Sequence, residues 1–254
     1  MTGNSKDESD WQALERLREE IDNLDAHLMS LLAKRQEVAA FIGQIKRDLG
    51  IEVFDPAREQ EVLRQLASRA GGYLHKEAIK HIFGEIISAA RSVQAPLRVA
   101  FLGPGATFTH QAATNLFGHS ALFCAAESIE EVFSLVEKGL CQQGVVPIEN
   151  SYEGFVATTS DLLYKYELKI NAEIFLRIRH HLLSTADHIG KVTHIYSHPM
   201  PIAQCWSWIR NHLSGIPIKE VGSTSLAATM AAKEPDAAAV GSRLCALTYG
   251  LKML

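Results

Sequence analysis

Between residues 14 and 49, apolar side chains recur at alternating spacings of three and four: Leu14, Leu17, Ile21, Leu24, Leu28 and Leu31, then Val38, Ile42, Ile45 and Leu49. This spacing predicts a long amphipathic helix with a heptad seam. The seam position between Leu31 and Val38 is Arg35, and Arg18 and Lys46 lie along one flank of the same stripe. A guanidinium on an apolar stripe is costly unless an anion meets it. One such residue can set helical register or pair with a buried acid. Three cations along one edge point instead to a site for a small polyanion inside a helical bundle. About 36 residues of helix extend roughly 54 Å, more than the width of a small N-terminal domain. The seam therefore predicts a second copy of the chain and an intertwined helical dimer. Arg18, near one end, would then reach a site made mainly by the other protomer.

The pattern continues in shorter pieces. Gly50 is placed to cap the long helix at its C-terminus. Asp55-Pro56 opens a second helix, with Asp as N-cap, Pro in the first turn, and Arg58 and Glu59 close behind. Gly71-Gly72 closes it. A third helix is predicted from about His75 to Gln94, where Ile79, Ile82, Phe83, Ile86, Ile87 and Ala90 fall at helical spacing. Pro96 ends this all-α part. From Leu97 onward, short apolar runs alternate with helical patterns. Strands are predicted at 97–102, 144–146, 192–196, 218–221 and 237–240. Helices are predicted from about Thr109, Ser128, Pro199, Ser225 and Arg243. Strict alternation of Ile170, Ala172, Ile174, Leu176 and Ile178 predicts one more strand. This is the grammar of an α/β domain with largely parallel sheets. The expected organisation is a disordered tail over 1–10, a helical domain over 11–95 and an α/β domain over 96–254.

In such sheets, ligands collect at the carboxyl ends of strands, beside helix N-termini. Thr107 and Thr109, then Glu149, Asn150 and Ser151, then Ser197, then Ser223, Thr224 and Ser225 fall in loops of that kind. Each could be an N-cap; together they also suit the holding of carboxylates. Gly103-Pro104-Gly105 matches neither a dinucleotide-binding nor a Walker loop.

Composition acts mainly by exclusion. With 47% hydrophobic residues, 21% charged and a formal net charge of -4, nothing suggests nucleic acid or an anionic membrane as partner. The first ten residues lack the apolar core of a signal peptide, and no apolar run reaches the length of a membrane span. Cys124, Cys141, Cys205 and Cys245 are dispersed and form no C-x-x-C, as expected of reduced thiols in a cytoplasmic protein. His180-His181 has no acid or Cys at ligand spacing. No metal and no cofactor are expected.

Three segments, Leu17-Arg18-Glu19-Glu20-Ile21-Asp22, Leu31-Leu32-Ala33-Lys34-Arg35 and Asp55-Pro56-Ala57-Arg58-Glu59, resemble all-helical chorismate mutases of the AroQ type. Three more resemble prephenate dehydratases. They are Phe101-Leu102-Gly103-Pro104-Gly105-Ala106-Thr107-Phe108-Thr109-His110, Val146-Pro147-Ile148-Glu149-Asn150-Ser151-Tyr152-Glu153-Gly154, and Ser197-His198-Pro199 with Gln204. From about Trp11 onward, the chain is similar to the bifunctional chorismate mutase–prephenate dehydratase family. The resemblance implies an AroQ-type intertwined helical dimer followed by a two-lobed α/β domain like the periplasmic binding proteins. It implies chorismate and prephenate as substrates. Arg18 from the partner chain and Arg35 would hold carboxylates, and Lys46 and Gln94 would donate to the ether oxygen. Asp55 and Glu59 would bind the hydroxyl region, with Arg58 ordering the site. In the second domain the resemblance assigns binding or catalysis to Thr107, Asn150, Ser197 and Gln204.

The chain departs from the family pattern at three places. Ala90 stands where the family usually has Ser, and Met200 where it usually has Gln. The family also continues past the point corresponding to Leu254, with a Thr-Arg-Phe segment and a phenylalanine-sensing ACT domain. The expectation is an intact mutase joined to a C-terminally incomplete dehydratase. The alternative is a mutase fused to a catalytically dead carboxylate-binding module.

Overall fold

The computed structural model describes residues 4–152 and 154–254, with the side chains of 4–9 left aside. The chain divides into two compact units, Met1–Pro96 and Leu97–Leu254. The first is helical. Helix α1 spans Asn4–Asp48, so residues 4–10 continue the helix where a tail was expected, and residues 1–3 lie outside the described part. Gly50 follows it with φ 67°, the left-handed conformation that glycine adopts at low cost. Helix α2, Pro56–Ser68, begins on Asp55, whose side chain accepts from the Arg58 amide. Helix α3, Lys76–Gln94, buries Ile79, Ile87, Ser88, Ala90 and Arg91. Both α1 and α2 pack against α3. Much of the α1 seam finds no cover within the chain: Leu17, Ile21, Leu24, Leu28 and Leu31 are 54–63% exposed.

The second unit has two lobes. The first carries a parallel sheet of order β2-β1-β3, built from β1 (Arg98–Leu102), β2 (Leu122–Ala126) and β3 (Gln143–Val145). Helix α4 (Phe108–Phe117) joins the first two strands and α5 (Ile129–Glu137) leads to the third. A small antiparallel hairpin follows, β4 (Glu149–Asn150) with β5 (Gly154–Phe155), then α6 (Ala157–Lys165). The second lobe holds β6 (His181–Ser184), β7 (His194–Ser197), α7 (Pro199–His212), β8 (Ile218–Glu220), α8 (Thr224–Lys233), β9 (Ala237–Gly241), α9 (Arg243–Tyr249) and β10 (Lys252–Met253). Its sheet runs in the order β10-β6-β9-β7-β8.

This sheet is mixed rather than largely parallel. β7 pairs in parallel with β8 and β9, which are reached through the crossover helices α7 and α8; β6 and β10 pair antiparallel. Only strands joined by a helical crossover are constrained to run in parallel. Residues 167–180 form no regular strand, although a strand was expected over 170–178. The alternation survives in burial: Ala172, Ile174 and Leu176 are partly covered, and Phe175 between them is 91% exposed. Period-two patterning reports the two faces of an extended chain, and no neighbouring strand among the described residues pairs with it. The lobe core is alanine-rich: Ala227, Ala228 and Ala231 of α8 lie against Ala237 and Ala239 of β9 and Leu183 of β6.

Candidate active site

The three helices of the first unit line a half-open cavity of about 480 Å³. Helix α1 contributes Arg35 and Lys46, about three helical turns apart and therefore on one face. The start of α2 contributes Asp55, Arg58 and Glu59; α3 contributes Ala90, Arg91 and Gln94. Val38, Ala39, Ile42, Val53, Val62 and Ile87 supply an apolar wall. Four cations thus face two carboxylates, an arrangement that favours an anionic ligand.

Each polar group is held by an identifiable contact. Lys46 Nζ donates to Val53 O at 2.9 Å and Glu52 O at 3.2 Å, tying the end of α1 to the loop that leads into α2. Arg35 Nη1 makes a long contact to Ile86 O, 3.4 Å. Gln94 Nε2 donates to Ala90 O at 3.1 Å, while its Oε1 is buried without a hydrogen-bond partner among the described residues. Arg47 Nη1 donates to Gln94 O at 2.5 Å and fixes the end of α3. Gly43 lets α1 and α3 come this close: a Cβ there would stand 2.8 Å from Gln94 Cα, Cβ and Cγ.

Six of the predicted residues, Arg35, Lys46, Asp55, Arg58, Glu59 and Gln94, therefore share one cavity. Arg18 is not among them. It is exposed and paired with Glu15 at 2.7 Å, and it lies about 25 Å along α1 from Arg35. Arg91 went unforeseen. Its side chain is 5% exposed, its Nε lies 3.2 Å from Glu59 Oε1, and its guanidinium carbon sits 5.1 Å from the Phe54 ring centroid. The signal was present: Arg91 follows Ile87 by four residues, so it sits on the buried stripe of α3 much as Arg35 sits on that of α1.

Of the predicted residues of the second unit, Ser197 and Gln204 lie at the start of α7 and Asn150 meets it through Met200, while Thr107 stands at the start of α4. Thr107 caps α4, accepting from the His110 amide at 3.3 Å and donating to Leu102 O at 3.3 Å. The preceding Ala106 has φ 63°. Its amide donates to His110 Nδ1, and its carbonyl accepts from Ser242 Oγ and Cys245 Sγ. Asn150 Oδ1 accepts from the Tyr152 amide at 2.9 Å, and its Nδ2 lies 3.8 Å from Met200 Sδ, so the methionine keeps a contact to this loop. Gln204 Oε1 lies 2.6 Å from His180 Nε2, and the His180 ring meets Phe108 edge-on at 5.2 Å. Ser197 is fully buried, and its hydroxyl donates to His198 O at 3.0 Å. Ser223 serves as the N-cap of α8, and Ser225 bonds Tyr249. Of the hydroxyl-bearing loops read from the sequence, these two resolve into structural roles. Glu153 lies outside the described residues.

Burial pushes the His180 imidazole below its ordinary value, against the Gln204 hydrogen bond, with His181 adding a smaller downward push. Burial acts in the same direction on His110. The unfolded chain then binds protons that the folded chain refuses, so stability falls as pH drops through about 6.5 toward the folded values. Denaturation midpoints at about pH 7.5 and 5.5 should differ in the wild type, and the gap should narrow in His180→Gln. An unchanged gap would remove His180 from this effect.

The sequence profile of the chorismate mutase type II family matches residues 17–95, and that of the prephenate dehydratase family matches residues 99–254. The bifunctional chorismate mutase/prephenate dehydratase of Aquifex aeolicus (strain VF5) is 42% identical over 247 residues, covering 96% of this chain and 68% of that protein. The chain belongs to the bifunctional chorismate mutase–prephenate dehydratase family. The Stutzerimonas stutzeri protein of the same name is 35% identical over 252 residues, 97% of this chain and 69% of that one. Among solved structures, the prephenate dehydratase of Staphylococcus aureus superposes with a TM-score of 0.55 at 29% identity. That match covers 62% of this chain and 59% of the Staphylococcus chain. The helical unit is thus the chorismate mutase part of the chain, and the α/β unit the prephenate dehydratase part. No helix among the described residues is long and apolar enough to cross a membrane.

Proposed function

We propose that the helical unit, residues 11–95, rearranges chorismate to prephenate and that the α/β unit, residues 96–254, takes prephenate on to phenylpyruvate in the cytoplasm. The observation that carries this reading is the convergence of Arg35, Lys46, Glu59 and Gln94 on one cavity. Chorismate is a dicarboxylate. Its rearrangement breaks an ether C–O bond and forms a C–C bond in one pericyclic step, with no proton transfer and no nucleophile. The protein has to hold the reactive conformer and place positive charge at the breaking ether oxygen. Arg35 pairs with a carboxylate, Lys46 and the second amide proton of Gln94 meet the ether oxygen, and Asp55 and Glu59 accept from the ring hydroxyl. Arg58 orders the start of α2.

The uncovered stripe of α1 supports a homodimer through the N-terminal helices. Five large apolar residues in one row are a surface that a second α1 would cover. In that arrangement Arg18 of one protomer completes the cavity of its partner. In the second unit, loss of CO₂ delivers its electron pair to the ring as hydroxide leaves from the opposite carbon. A donor from the Thr107, Asn150 and Gln204 group assists that departure.

A two-stage assay on the 254-residue chain tests this. Chorismate loss is followed first, then phenylpyruvate formation from added prephenate. Both are expected. Absence of chorismate turnover in a folded dimer would end the mutase reading. Absence of phenylpyruvate alone would leave a mutase carrying a carboxylate-binding module.

A further inference from the structure

We propose that Arg91 is a positioning residue of the mutase: its guanidinium pairs with Glu59 and holds that carboxylate charged and fixed as a hydrogen-bond acceptor at the cavity wall. The inference rests on the assignment of the helical cavity to the mutase reaction. The geometry is that of a built pair. Both side chains line the cavity, Arg91 at 5% exposure and Glu59 at 22%, with Nε and Oε1 3.2 Å apart. The Phe54 ring centroid, 5.1 Å from the guanidinium carbon, adds a cation–π contact.

Glu59 needs such a partner. A carboxylate drawn into an apolar wall tends to take up a proton, and a protonated carboxyl offers a donor where an acceptor is wanted. The charged groups around Glu59 come from all three helices: Arg35 and Lys46 of α1, Asp55 and Arg58 at the start of α2, and Arg91 of α3. Burial prevails and raises the Glu59 pKa above its ordinary value; Arg91 is the largest opposing influence, Asp55 adds to the rise, and Lys46 opposes it more weakly. Ala90 beside Arg91 has no hydroxyl to share the task.

The test is the pH profile of kcat/KM for chorismate in Arg91→Met and Arg91→Lys. Arg91→Met keeps the apolar stem and loses the charge. Its acid limb is expected to move to higher pH, with about a tenfold loss of rate below the limb for each unit of movement. Arg91→Lys should bring the limb back toward the wild type. A purely structural role would depress the rate at every pH and leave the limb in place, and that result would overturn the proposal. Wild-type chain that fails to turn over chorismate would sink the functional reading and not the pairing. The Glu59 carboxylate can be titrated by carbon-13 NMR in any folded sample, with the same upward move expected in Arg91→Met. If Arg91→Met folds poorly because an acid is stranded, Glu59→Gln/Arg91→Met removes both charges. Its rate should equal that of Glu59→Gln alone; additive losses would show that the two residues act independently.

Discussion

Arg35→Ala lowers kcat/KM for chorismate by about 10²–10³-fold and leaves the helical unit at least as stable as before. The two halves of this result separate function from architecture. Arg35 stands on the apolar stripe of α1, and among the described residues its hydrogen bond is the long contact to Ile86 O at 3.4 Å. A half-buried guanidinium with so slight an anchor contributes little to folding, and truncating it relieves a desolvation cost. In the proposed mutase site the same charge would meet a substrate carboxylate with less water between them, where it acts more strongly than in bulk water. Steady-state chorismate kinetics and a urea unfolding curve on the same sample decide the matter. Unchanged kinetics with lower stability would make Arg35 a register-setting residue and empty the cavity of its role.

Gly43→Ala is expected to destabilise the chain by about 1–3 kcal/mol and to cut kcat by roughly 10²-fold. The added methyl would stand 2.8 Å from three atoms of Gln94, one of them its backbone Cα. A flexible side-chain tip could swing away from such a contact; a Cα at the end of α3 moves only if the helix shifts. Gln94 then leaves its place in the cavity wall, and a displacement of about 1 Å is enough to cost two orders of magnitude in rate. Gly84→Ala is the control. It lies in the same α3, with nothing within 4 Å of the new Cβ. There helix propensity alone predicts a gain of up to about 1 kcal/mol. Similar behaviour of the two variants would mean that the α1–α3 crossing is compliant.

Residues whose local chemistry is self-contained could be read from the sequence. The seam of α1, the Asp55-Pro56 entry to α2 and the Ser128 cap of α5 each depend on neighbours within a few positions. Arg35 and Lys46 announced themselves as cations on an apolar stripe. What depended on distant chain was hidden. β2, Leu122–Ala126, is a short apolar run without alternation, and it is a strand because β1 lies beside it along its whole length. Residues 170–178 have the alternation and no ladder. Arg91 lies one residue past Ala90, the end of the apolar series that defines α3 in the sequence. Its meaning appears only when Glu59, from another helix, is set against it. The dehydratase residues were legible as a family pattern. Their spatial neighbours were not, since Gln204 meets His180, a histidine for which the sequence shows no acid or Cys at ligand spacing.

Gln94 is the last residue of α3, and β1 begins at Arg98. Chemistry and modular border are thus almost superimposed in the gene. A recombination that exchanged everything after residue 96 would hand on a complete mutase. One that cut a few codons earlier would discard Gln94 and with it part of the cavity lining. A break that spares both the cavity and β1 therefore has only residues 95–97 in which to fall.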